Sequence, residues 1–342
     1  MRLKKTFFKV CPMRKVLIPV FCICFSMQTA QAAQEQMLIP SGRTVGVTMD
    51  TKGLLVLGTG SVGGEENSDA TPCKGILQTG DLILEANGQF LENKEMLMEM
   101  VEKSEGKAVS LLVERNGKER KMSVFPVFSV ADGSYKIGAW IRDSIQGIGT
   151  VTYIDPNSGT FGALGHGVYD ADTDMLMDIR GGNLTAAELT GIVKGQKGKA
   201  GELTGKIDLQ EKIGAVEKNT ETGIFGMAEE LFFVGEALPV ANRNEIKKGK
   251  AEILSDLEGK GICSYEIKIE GFGKKDSRNH KDMTIRITDE RLLQLTGGIV
   301  QGMSGSPIIQ DGRLVGAVTY VLVNDPTRGH GIFIENMMDA AG

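Results

Sequence analysis

Glycine is the feature that most restricts what this chain can become. Forty-five glycines are scattered over 342 residues with no fixed period, and prolines number only nine. Aperiodic glycine between short apolar runs points to many tight turns and short strands, not to a collagen-like repeat or a disordered tract. The length allows two compact cores. A mainly β protein of two domains is the expectation.

Residues 36–128 read as a first unit. Ile39 to Arg43 and Val45 to Val47 give short strands around turns, and the apolar run Gly53 to Leu57 follows. Pro72 to Gly88 reads as a turn, a buried segment and a strand ending in Asn87-Gly88. The period then changes: Leu97, Met100 and Val101 recur at helical spacing, and Val109 to Arg115, Asn116-Gly117 and Lys121 to Val127 form a hairpin. The order is strand, turn, strand, helix, hairpin.

A boundary is expected near Ser129 to Ser134, and a second unit runs over 135–342. It shows strands at Ile137 to Arg142 and Gly149 to Ile154, alternation at Cys263, Tyr265, Ile267 and Ile269, a further strand at Thr284 to Ile287, and one helical stretch at Ile334 to Ala340. A β-barrel or sandwich suits that pattern.

The N-terminus has the layout of a leader. Arg2, Lys4, Lys5, Lys9, Arg14 and Lys15 precede the apolar run Val16 to Met27 and the small-residue stretch Ala30-Gln31-Ala32. That run is short for a spanning helix, so residues 1–32 read as a cleaved signal peptide, with an N-terminal membrane anchor as the alternative. Loss of this segment takes the formal net charge from −5 to −11. So acidic a body opposes phosphate backbones and anionic headgroups; no nucleic-acid partner is expected, and membrane contact only through the N-terminal segment. Cys73 and Cys263 are then the remaining cysteines, too far apart to suggest a metal site, and no cofactor is called for.

Two runs in the second unit hold a reactive residue between glycines: Gly162-Ala-Leu-Gly-His166-Gly167 and Gly302-Met-Ser304-Gly-Ser-Pro307. Glycine on either side lets a substrate backbone come close. A serine hydroxyl needs a neighbouring base to become a nucleophile, and histidine is the usual base near neutral pH. Of the three histidines, His280 lies in a charged stretch and His330 follows the serine, which leaves His166 as the candidate. Gly302 to Pro307 resembles the Gly-x-Ser-Gly-x-Pro signature of trypsin-like serine proteases. That turn would aim the Gly302 and Ser304 amides at a common oxyanion.

Gly75 to Gly88, in its order of elements, resembles the Gly-Leu-x-x-Gly-Asp-x-Ile segment of PDZ domains attached to bacterial extracytoplasmic proteases. Such domains add an extended peptide to a sheet edge and capture its carboxylate on a glycine-bearing loop. The resemblance implies that this loop is Ser41, Gly42, Val45, Gly46 and Val47.

Longer matches resemble the stage IV B sporulation peptidases of endospore-forming bacteria. They are Gly162 to Gly167 with Asp170, Asp172 and Thr173, Gln301 to Gln310, Gly316 to Thr319, Val323 to Thr327 and Gly331 to Glu335. The implied fold is a PDZ-like α/β module followed by a trypsin-like β-barrel serine peptidase domain. The implied activity is a serine endopeptidase exported into the space between forespore and mother cell, anchored at the membrane or released from it. It cleaves itself, then the regulatory subunit of a membrane metalloprotease, and so leads to activation of the late mother-cell sigma factor. Its triad acid falls at Asp289, fifteen residues before Ser304. Asp170, Asp172 and Asp174 are rivals by nearness to His166. The contrasting expectation is a non-catalytic PDZ-type binding or scaffolding protein of the cell envelope.

Overall fold

A computed structural model describes residues 35–63, 69–230, 234–273 and 281–342. The expected leader at 1–32 and His280 lie outside the described residues.

A short strand, Met37–Pro40, precedes the long strand β1 (Thr44–Thr59). Strand alternation turns Val45, Val47 and Met49 into one core, and a change of parity then turns Leu54 and Val56 into another. The second core belongs to a small module built from β2 (Leu82–Ala86), α1 (Lys94–Lys103), β3 (Val109–Arg115) and β4 (Lys118–Val124). Asn93 caps α1 by accepting the Met96 N–H, and Leu97 and Val101 face inward. The hairpin turns on Asn116 at φ 53° and Gly117 at φ 70°, the pair of positive angles that matches the strand twist. The Gly-Asp turn ahead of β2 has a structural use. Asp81 is fully buried and accepts two 2.6 Å bonds from Arg115, tying the start of β2 to the end of β3.

The chain returns on β5 (Ala139–Ile154), which pairs with β1 from Ala139 opposite Thr59 to Thr150 opposite Thr44. Then come β6 (Thr160–Ala163), β7 (Ile179–Val193), β8 (Gly201–Thr220) and β9 (Gly223–Ala228). Their pairings run β1–β5–β6–β9–β8–β7 and back to β1, so the sheet closes into a barrel. Phe161, Leu184, Val216 and Ile224 fill it with the inward residues of β1.

A second barrel follows: β10 (Gly249–Ser255), β11 (Cys263–Phe272), β12 (Met283–Ile287), α2 (Glu290–Thr296), β13 (Val300–Gln301), β14 (Pro307–Gln310), β15 (Arg313–Val321) and β16 (Arg328–Phe333), ending in α3 (Ile334–Ala341). The ring is β10–β11–β12–β16–β15–β14. Tyr265, Ile267 and Ile269 on β11 and Ile285 and Ile287 on β12 point inward by the alternation that the sequence displays, whereas Cys263 ends up exposed.

The protein is therefore mainly β, a trypsin-like pair of barrels carrying a PDZ-like α/β module. The expected division into 36–128 and 135–342 is redrawn by the pairings. The module is inserted between the first two strands of the first barrel, and β1 and β5 run through both. A continuous strand pair has no composition break at the crossing, and for that reason a boundary read from turn residues fell elsewhere.

Candidate active site

The two glycine-flanked runs meet between the barrels. β6 delivers Leu164 and Gly165, both at φ 69°, and this left-handed pair turns the chain so that His166 enters a cleft of about 480 Å³. From the other barrel, Gly302 and Ser304 line the same cleft, as do Thr319 and Tyr320 of β15. Gly305 permits the approach. A Cβ there would lie 2.0 Å from the Thr150 carbonyl oxygen and 2.6 Å from the Leu164 nitrogen, so any side chain would push the barrels apart.

Thr150 of β5 staples the two turns together. It is fully buried, it donates its N–H to the Ser304 carbonyl at 3.0 Å and its hydroxyl to the Gly302 carbonyl at 2.7 Å, and its own carbonyl accepts the Leu164 N–H at 3.1 Å. One residue of the first barrel thus fixes both sides of the serine turn and the approach to the histidine. Thr150→Val keeps the volume, loses the hydroxyl bond and leaves the Gly302 carbonyl short of a partner, worth about 1–3 kcal/mol. The expected result is a fall in kcat of ten- to a hundredfold, on the order of that energy, in steady-state kinetics with the fold retained by circular dichroism.

His166 is half-buried. Its Nδ1 lies 2.8 Å from the Gly167 carbonyl, an acceptor only, so Nδ1 carries the proton and Nε2 keeps a lone pair. The ring stacks on Tyr320 with centroids 4.9 Å apart and planes 24° from parallel. Burial holds the imidazole below the ordinary histidine range, and the Gly167 bond opposes this in part. Ser304 Oγ is turned toward β15 and donates to the Thr319 carbonyl at 2.7 Å. The Thr319 hydroxyl is buried and has no hydrogen-bond partner among the described residues.

Asp289 does not reach His166. It is the N-cap of α2, accepts from the Arg291 N–H at 2.9 Å and the Glu266 N–H at 3.2 Å, and pairs with the Arg291 guanidinium at 2.7 Å. Arg291 above all holds its carboxylate down to about 2. An acid fifteen residues before the serine had to cross the whole of α2 to reach the cleft, and the helix cap retains it. Asp289→Asn preserves a good cap and removes only a solvent-screened ion pair with the exposed Arg291. Peptide hydrolysis should therefore stay within about tenfold of the parent, whereas a loss of about four decades would make Asp289 the third triad member after all. Asp170 and Asp172 pair with Arg142, the imidazole Nδ1 is taken by the Gly167 carbonyl, and Asp174 sits at φ 54° in the turn that closes on Asp170.

The expected carboxylate loop is likewise displaced. Val45, Gly46 and Val47 lie within β1 and pair with β5, and Gly46 and Val47 also pair with β7 on the other side, so the edge expected for a peptide is taken by strands. A Cβ on Gly46 would meet Ile207 at 2.5 Å, and Val47 lines the catalytic cleft. Ser41 and Gly42 donate their N–H groups to the Thr152 and Val151 carbonyls. The groove of the module is elsewhere. It measures about 630 Å³ and lies between α1, with Leu97, Met98 and Val101, and the start of β5, with Ile137, Gly138 and Trp140. The signal was present as the apolar-Gly-apolar run Ile137-Gly138-Ala139-Trp140. That run lies past the boundary expected near Ser129 to Ser134 and so falls in the second unit of the sequence reading.

The family model described as SpoIVB peptidase S55 matches residues 133–338. Among solved structures, the active form of the Rv3671c protease from M. tuberculosis is 14% identical, with 58% of this chain and 75% of that one covered at a TM-score of 0.35. A thermostable serine protease, AL20, from an extremophilic microorganism is 13% identical over 57% and 91%, at 0.34. The PDZ domain of the SdrC-like protein of Listeria monocytogenes is 20% identical over 26% and 87%, at 0.22. At such scores the strand pairings, not these likenesses, define the fold.

Proposed function

Because the chain belongs to the SpoIVB peptidase S55 family and is a serine endopeptidase, we propose that it serves sporulation by cleaving itself and then the regulatory subunit of a membrane metalloprotease. Export by the 1–32 segment would place it between forespore and mother cell, and the released metalloprotease would lead to the late sigma factor. The observation that carries the peptidase reading is the pair of turns, His166 and Ser304, stapled by Thr150 on one cleft.

The chemistry follows from the hydrogen bonds. A substrate strand laid along Thr319 to Val321 offers its own N–H to the Thr319 carbonyl, which frees the Ser304 hydroxyl to turn toward Nε2 of His166. The imidazole takes the proton as Oγ attacks the scissile carbonyl, and returns it to the leaving amine. Gly302 and Ser304 amides are the proposed oxyanion donors. The cleft walls Ile148, Ile299, Val300, Val321 and Val323 are apolar, and among the described residues no Asp, Glu, Lys or Arg lines them, which suits cleavage after an apolar residue. The module groove is the proposed docking place for a peptide with a free carboxylate.

Both parts are testable on the full-length chain. Incubation followed by mass spectrometry should give fragments whose C-terminal residues are mostly apolar, and predominantly charged ones would reject the cleft assignment. Trp140, the single tryptophan, reports on the groove. Free-carboxylate peptides should shift its emission, and their amidated counterparts should not.

A further inference from the structure

Two neighbouring residues of β5, just past the groove-lining Ile141, pair in different directions. Asp143 goes to the groove helix: its carboxylate accepts the Lys94 N–H at 3.0 Å and pairs with the Lys94 ammonium at 3.7 Å, at the first turn of α1. Arg142 goes to the histidine loop. It pairs through one nitrogen with Asp170, which is fully buried, and through the other with Asp172 at 2.8 Å. Asp170 organises that loop by accepting the Asp172 N–H at 3.0 Å and the Thr173 N–H at 2.9 Å.

Three residues lie between His166 and Asp170, and the loop they form is held at two ends. On the barrel side Asn219 accepts the Val168 N–H at 2.9 Å and the Glu221 carbonyl accepts that of Gly167 at 3.2 Å. On the module side the hold is Arg142. The β1–β5 ladder also changes register between Trp140 and Ile141 and again between Arg142 and Ser144, so this stretch of β5 is the part least fixed by strand pairing.

We propose that Arg142 is a positioning residue that couples the module groove to His166, so that a shift of α1 against β5 is passed through Asp143 and Arg142 to the Asp170 anchor of the histidine loop. The mechanical link stands on these contacts; that a docked peptide drives it rests on the groove reading above. A buried acid that loses its cation is left uncompensated, and the loop must rearrange.

Measured on the full-length chain with a short fluorogenic peptide, Arg142→Gln should lower kcat by about ten- to a hundredfold, the scale of a base misplaced by about 1 Å, with KM little changed. Arg142→Lys keeps a cation opposite Asp170 and should recover most of that loss. Coupling between sites is reciprocal. Sulfonylation of Ser304 by phenylmethylsulfonyl fluoride should therefore alter amide hydrogen exchange across Lys94–Lys103 in the parent and in Arg142→Lys, but not in Arg142→Gln. An α1 that ignores the adduct in the parent, or responds equally in Arg142→Gln, overturns the coupling. A parental response with no effect of free-carboxylate peptides on Trp140 emission would keep the coupling and reject the groove's ligand instead.

Discussion

Replacing Ser304 with alanine should abolish cleavage, with kcat down by about six decades, the scale seen when a serine peptidase loses its nucleophile outright. The fold should survive. Ser304 is a turn residue whose hydroxyl makes one bond, to the Thr319 carbonyl, and that carbonyl remains open to the cleft when the hydroxyl is gone. The backbone contacts that hold the turn, from Thr150 N–H to the Ser304 carbonyl and from Gly305 N–H to the Val318 carbonyl, do not depend on the side chain. Fragments that form in the parent and are missing from Ser304→Ala, at unchanged circular dichroism, are the expected observation. Persistence of the same fragments would mean a contaminating protease or a different nucleophile, and the envelope-scaffold reading would regain its place.

The second large effect is that of His166→Ala, about as severe as that of the serine. The two act as one unit, so the double variant should be no slower than either single one, to within about tenfold. The pH dependence carries the sign of the burial. A base whose imidazole is held below its ordinary value stays neutral, and therefore competent, as pH falls through the usual histidine range. The acid limb of kcat/KM should thus lie below the model-peptide value of about 6.5. The same shift makes the fold around the cleft lose stability as pH falls from the ordinary histidine value towards the lower folded one, where that loss is complete. An acid limb above that value would require a carboxylate close to the imidazole, and would reopen the search for a third triad member.

How far the sequence announced this molecule differs from one part to another. The barrels were legible in alternation, as at Tyr265, Ile267 and Ile269, because one face of each strand must be buried. Ser304 and His166 were legible because glycine flanks leave a chemical trace along the chain. Thr150 left none: a lone threonine in a strand looks like any β-former, and its importance lies in two carbonyls about 150 residues away that only the fold brings near. Arg142 was hidden for the same reason. Asp289 and the Ser41 to Val47 loop show the opposite failure. Each was placed by likeness to a family, and in each the backbone found a stronger local use, as a helix cap in one case and as a barrel strand in the other.

The central claim is that one serine, activated by one histidine from the other barrel, performs the hydrolysis. A fluorophosphonate labels a serine only where a base has activated it, so its rate and position read the claim without any knowledge of the substrate. Peptide mapping of the labelled full-length chain should place the adduct on Ser304, and His166→Ala should slow its formation by at least about a thousandfold, within the range lost with a triad base. An adduct on another residue, or a Ser304 labelled at the same rate without His166, would contradict the account.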